Sequence, residues 1–161
     1  MPILTPVSHN EFIELTRSFI GLPISRPWRG YGSALFLDVG PLTKTDKHTG
    51  QKKAELGLSI YYHWRVEGSK SLLFGNSSGV RKIDNGISTL SGHTILEISL
   101  VGRLPELYVK LSGNKWVCSF TSWQGQPEWA VNLSDGSWFQ VERGRLFRGR
   151  SDVKKRKTRA K

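Results

Sequence analysis

EWAVNLSDGSWFQVE, residues 128–142, points to the architecture of the whole chain. From Glu128 to Leu133 and again from Trp138 to Glu142, apolar and polar side chains alternate. A period of two is that of a strand with one buried face. Between the two runs lies Ser134-Asp135-Gly136-Ser137. Asp-Gly favours a type I′ hairpin turn, because both of its central residues take φ > 0. An antiparallel hairpin is therefore expected here, and it sets the pattern for the rest of the chain.

Working upstream, Leu107 to Leu111 alternates, Ser112-Gly113-Asn114 turns, and Lys115 to Ser122 returns. Thr94 to Val101 is rich in β-formers. In Leu58 to Val66, the residues Leu58, Ile60, Tyr62, Trp64 and Val66 share one face, and Ser59, Tyr61, His63 and Arg65 share the other. Gly68-Ser69 turns into Ser71 to Phe74, and Ala34 to Val39 is a further strand. Residues 43–53, TKTDKHTGQKK, read as an exposed hairpin loop. Gly75 to Gly92 is rich in Gly, Ser and Asn, with a short strand expected at Val80 to Ile83. Downstream, Arg145 to Arg148 continues the sheet past Gly144.

One helix is expected, near the N-terminus. Ser8 followed by Glu11 is a capping box, and Phe12, Leu15, Phe19 and Ile20 then recur at helical spacing. Gly21 and Pro23 end it. The fold class that follows is α+β. It is a mostly antiparallel, strongly curved sheet or open barrel of about seven or eight strands, with the helix packed on its apolar face. A β-sandwich is the alternative. Residues 1–148 form the domain, and 149–161 read as a disordered basic tail, since like charges without apolar periodicity cannot offset chain entropy.

The charge is segregated. The 161 residues carry a net +11. Residues 143–161 hold ten Lys and Arg against Asp152 alone, a net +9, whereas 1–142 hold 14 basic and 12 acidic side chains, a net +2. Apolar runs are far too short for a membrane-spanning helix. Met1 to Asn10 lacks the charged start and apolar stretch of a secretory signal. A single cysteine, Cys118, excludes an internal disulfide framework and a cysteine zinc site. The expected address is the cytoplasm.

Motifs are sparse. His9, His48, His63 and His93 have no ligand spacing, so no metal is expected. Neither a P-loop nor a dinucleotide fingerprint occurs, and no cofactor is expected. Gly75-Asn76-Ser77-Ser78-Gly79 spells G-x-S-x-G, with Asp84 and His93 following. That chemistry requires a helix after the turn. Val80 to Gly86 shows no helical stripe, so the segment is read as a plain loop.

Four places carry the candidate site residues. Arg26-Pro27-Trp28-Arg29-Gly30-Tyr31-Gly32-Ser33 joins the helix to the first strand. There Arg26 and Arg29 offer guanidinium forks, and Trp28 and Tyr31 offer stacking faces. The loop Trp123 to Glu128 offers Trp123, Gln124 and Glu128 as a partner rim. Tyr61, His63 and Arg65 point the same way and would line a pocket if that face were concave. Arg148, Arg150, Lys154, Lys155, Arg156, Lys157, Arg159 and Lys161 form a cationic appendage suited to phosphates or acidic protein. No catalytic residue is assigned. The leading expectation is a non-enzymatic cytoplasmic binding protein that associates with nucleic acid or an acidic partner through its tail. A module of the inhibitor or immunity kind is the first alternative. A small-molecule binder or enzyme with a pocket in the sheet is the second.

Overall fold

The computed structural model describes residues 1–122 and 127–152. The chain order is β1 (Ile3–Pro6), α1 (His9–Thr16), a 3₁₀ turn (Arg17–Phe19), β2 (Ile24–Arg29), β3 (Leu35–Val39), β4 (Lys44–Thr45) and β5 (Lys52–Lys53). Next come β6 (Leu56–Ile60), β7 (Trp64–Glu67), β8 (Leu72–Gly75), α2 (Val80–Ser88), β9 (Ile95–Val101) and β10 (Glu106–Leu111). The last are β11 (Lys115–Ser119), β12 (Trp129–Asn132), β13 (Trp138–Glu142) and β14 (Arg145–Arg150).

Among the described residues every strand pairing is antiparallel. Seven strands follow the order β1-β14-β13-β12-β6-β3-β2, five follow β8-β7-β11-β10-β9, and β4-β5 stand as a hairpin. Neither large sheet closes, so the expected single curved sheet of seven or eight strands is instead two open sheets. The chain changes sheet at two adjacent places. Residues 61–63 carry it from β6 to β7, and residues after Ser119 carry it back to β12. The ladder runs on across this corner, with Tyr61 N donating to Glu128 O (2.8 Å) and Phe120 N to His63 O (3.0 Å).

The inner faces of both sheets feed one core. Leu35, Leu58, Ile60, Trp129, Val131 and Phe139 come from the seven-stranded sheet, and Trp64, Val66, Leu107, Val109 and Val117 from the five-stranded one. Helix α1 covers the former. Ser8 caps it, accepting from Glu11 N at 3.1 Å. Phe12 meets Phe139 and Trp129 edge-on, with ring centres 5.0 and 5.8 Å away. Phe12 and Phe19 are fully buried as the helical spacing predicts, while Ile20 is exposed because the helix ends at Thr16 and tightens into the 3₁₀ turn.

Several expectations need correction. The short strand expected at Val80 to Ile83 is helix α2, so the described residues hold two α-helices. Its buried stripe is only Ile83 and Ile87, one turn apart, and Gly86 and Asn85 lower its propensity, which hid it. Gly86 is there for packing: a Cβ on it would lie 2.6 Å from the Phe74 ring. Arg26–Ser33 is not all loop, since Ile24–Arg29 form an edge strand in which Pro27 is tolerated. Strand β1 was missed because its burial pattern does not alternate, and its backbone pairing with β14 gives no sequence signal.

The tail boundary at 149 also moves, as Gly149 and Arg150 pair with Leu4 and Ile3. Residues 153–161, which hold most of the expected disordered tail, lie outside the described residues. The turn at Asp135-Gly136 is not type I′, because only Gly136 takes positive φ. Gly136 N donates to Leu133 O (3.1 Å), which closes a type I turn with a glycine after it. The type I′ geometry belongs to Arg143-Gly144, both at positive φ, between the paired Glu142 and Arg145.

No helix among the described residues is long and apolar enough to cross a membrane.

Candidate functional site

Side chains on a strand alternate between faces, so each residue of the seven-stranded sheet that flanks a core position points away from the core. Register aligns these outward residues in rows. One row runs Trp28, Phe36, Ser59, Ala130, Gln140, Phe147 across β2, β3, β6, β12, β13 and β14. The next runs Arg26, Asp38, Gly57, Asn132, Trp138, Gly149. The two middle strands thus present Gly57, Ser59 and Ala130, all small, between strands that bear aromatic rings. The result is a groove cut into the face of the sheet.

Its walls are layered aromatics. Trp28 lies on Phe36 with centres 4.2 Å apart and planes 14° apart. The Arg26 guanidinium sits 5.3 Å from the Trp28 ring centre, a cation–π contact. Tyr61 meets Phe36 edge-on at 6.1 Å. On the far side the Trp138 indole rests on Gly149, where a Cβ would approach it to 2.3 Å. Its N–H donates to Gln140 Oε1 (2.8 Å), which orients the ring. One part of the groove has a volume of about 530 Å³ and reaches Tyr31, Tyr62 and Pro127. A second part of about 390 Å³ reaches Asp38, Lys44 and Lys53. Phe36, Tyr61 and Asn132 line both, so the two are continuous.

Polar groups gather in the second part, which Asp38, Lys44, Lys53, Glu55, Ser59 and Ser137 line. Asp38 Oδ2 is buried without a hydrogen-bond partner, 3.8 Å from Arg26 Nη1. Burial raises the Asp38 carboxyl above its ordinary range, and Arg26 pulls it partly back. Burial likewise raises the Tyr61 phenol, and the neighbouring Ser59 side chain offsets part of this. Asn132 is exposed on the floor.

The groove unites residues that the sequence put in separate candidates: Arg26, Trp28 and Tyr31 from one, Tyr61 from another. Others go elsewhere. Arg29 turns to α2, where Nε donates to Asp84 Oδ1 (2.7 Å), and Nη1 donates to Gly32 O (2.9 Å). His63 and Arg65 do not join Tyr61, because the strand bends at 61–63. Ser122 Oγ stands 3.1 Å from His63 Nδ1 at the corner. Arg65, on the five-stranded sheet, pairs with Glu67 at 2.8 Å. Arg148 is held by Asp135 (2.8 Å) and Ser137 (3.2 Å) within the sheet rather than offered to a partner. Arg150, the last residue of β14, is exposed. Trp123, Gln124, Lys154, Lys155, Arg156, Lys157, Arg159 and Lys161 lie outside the described residues.

Glu128, expected on a rim, is only 3% exposed. Neither of its carboxylate oxygens has a hydrogen-bond partner. Burial pushes it up to about 7 and the charge of Glu106 adds to this, while the His63 backbone amide, near the carboxylate but outside hydrogen-bond geometry, offsets part. Glu106 is better provided for, accepting from Ser119 Oγ (2.5 Å) and Thr121 N (2.8 Å).

The G-x-S-x-G segment does stand between strand β8 and helix α2, contrary to the sequence reading. The other partners are committed elsewhere. Asp84 holds Arg29, and His93 Nδ1 lies 2.9 Å from Ser112 O. The loop's own side chains staple it: Ser78 Oγ accepts from Gly75 N (3.1 Å), and Asn76 Oδ1 from Trp64 N (3.0 Å). Among the described residues no cluster of His, Cys, Asp and Glu could hold a metal ion.

No family model, curated protein or solved structure matches the chain.

Proposed function

We propose that this chain is a non-enzymatic cytoplasmic binding protein. Its ligand lies in the groove on the outer face of the seven-stranded sheet, and its basic C-terminal residues add attraction for an anionic partner. One observation carries the reading: Gly57, Ser59 and Ala130 are small and neighbouring on a face turned away from the core, with rings on either side. A face that served only as a solvated surface has no use for a floor of small residues or for an indole pinned at its edge. Concave, mostly apolar sites with a few convergent polar groups are the usual form of a ligand pocket. The engagement of Asp84 and His93 in structural contacts favours binding over nucleophilic catalysis.

The electrostatic half of the proposal is tested on a phosphate-bearing cation exchanger. The full chain is compared with one ending at Asp152, which keeps β14 whole. Six cations follow Asp152, namely Lys154, Lys155, Arg156, Lys157, Arg159 and Lys161. With about 0.7 counterions released per phosphate contact on a single strand, their loss lowers the salt slope of binding by up to about 4. Elution of both chains at the same salt concentration contradicts a role for these residues.

A further inference from the structure

We infer that the occupant of the groove is single-stranded nucleic acid, with phosphates at one end and bases along the aromatic walls. This rests on the groove being the binding site. Asp38, Gly57, Asn132, Trp138 and Gly149 form one row. Their neighbours Val39, Leu56, Leu133 and Arg150 therefore lie toward the same end of the sheet. The β4-β5 hairpin connects Val39 to Leu56, so it rises at that end, and Arg150, which ends β14, lies toward that end too. Lys44, Lys47 and Lys52 of the hairpin are exposed, and Arg26 lies beside them, with Nη2 donating to Gln51 Oε1. The hairpin lysines and Arg26 thus stand together at one mouth of an aromatic groove. At the other mouth stand Tyr31, fully exposed, and Tyr61 with Tyr62.

An anion with planar rings fits this order of groups. Cations tracking a backbone beside aromatic faces are how single strands are held without sequence reading. A duplex fits poorly, because its base faces are hidden in the stack and rings in a groove reach only unstacked bases. The width agrees. β3 and β13, which carry Phe36 and Trp138, are three strand spacings apart, roughly 14 Å, and the walls lean over a floor only two strands wide.

The test is fluorescence anisotropy with a labelled oligothymidylate of about ten nucleotides and the full chain. Asn132→Phe plugs the floor from an exposed position, and circular dichroism checks its fold. We expect it to lower affinity tenfold or more while leaving the salt slope unchanged. Lys44→Gln with Lys52→Gln should lower the slope by about 1.4 and leave the plugged site's effect intact. Equal affinity of wild type and Asn132→Phe overturns the inference, as does duplex binding as tight as single-strand binding. Absence of oligothymidylate binding also overturns it. In that event, quenching of tryptophan fluorescence by a β-1,4-glucan hexasaccharide that Asn132→Phe abolishes keeps the groove as a binding site. Failure of both probes removes the groove reading as well.

Discussion

Trp129→Ala is expected to lose about 3–5 kcal/mol of stability, read as a lower midpoint in urea. Trp129 is 0% exposed and sits where α1 meets the inner face of the seven-stranded sheet. Truncation removes the edge that Phe12 packs against at 5.8 Å and leaves a cavity between helix and sheet. It also strips the donor from Pro105 O, which the indole N–H reaches at 3.2 Å in a buried setting. An acceptor left unpaired there costs about 1–3 kcal/mol, within the range already given rather than in addition to it. Against a total stability of about 5–15 kcal/mol, such a loss is a large share. Trp129→Phe restores most of the volume without the N–H, so it should fall between. A loss below about 1 kcal/mol for the alanine variant means that the helix is not seated on this residue.

Glu128→Gln is expected to act in the opposite direction and only above mild acidity. The folded protein holds the Glu128 proton up to about 7, whereas the ordinary value is 4.5. A raised folded value means that the native state binds the proton more tightly than the unfolded chain does. Stability is then full below about 4.5, falls as pH rises through the interval, and levels off above 7. The penalty at about pH 8 is on the order of 3 kcal/mol. Glutamine keeps the shape without the charge. The variant should therefore be more stable than wild type by roughly that amount at pH 8, and close to it near pH 4. Two neighbours shape the effect: the Glu106 carboxylate raises the proton's hold, and the His63 backbone amide weakens it. Parallel stability curves for the two proteins from pH 4 to pH 8 contradict the account of a buried, unpartnered carboxylate at the sheet junction.

The legible part of the fold was the part with strong period. Trp129 to Asn132 pairs with Trp138 to Glu142 as the alternation of residues 128–142 requires, and the Ser8 cap and buried Phe12 stand as the N-terminal spacing implies. What escaped was weak in local signal. Helix α2 shows only two buried residues, and β1 is held by backbone pairing. The division into two sheets has no local mark, since Leu58, Ile60, Trp64 and Val66 keep one parity straight through the corner. That same corner dispersed Tyr61, His63 and Arg65, which alternation alone would have kept together.

The candidate site was legible only in pieces. Arg26, Trp28, Tyr31 and Tyr61 stood out because aromatic and cationic side chains carry chemistry on their face. Gly57, Ser59 and Ala130 did not, because a small residue means little until register sets it between two rings. Nothing local links Trp138 to Phe36, 102 positions apart in sequence. Only the order β13-β12-β6-β3 puts them on opposite banks.

The most direct measurement is a map of backbone amide shifts in the full chain as oligothymidylate is added. The largest changes are expected on Gly57, Ser59, Ala130, Asn132 and Gln140, with the Lys44–Lys53 hairpin next. Changes gathered on the five-stranded sheet, with those five amides unmoved at saturation, would contradict the groove as the binding site.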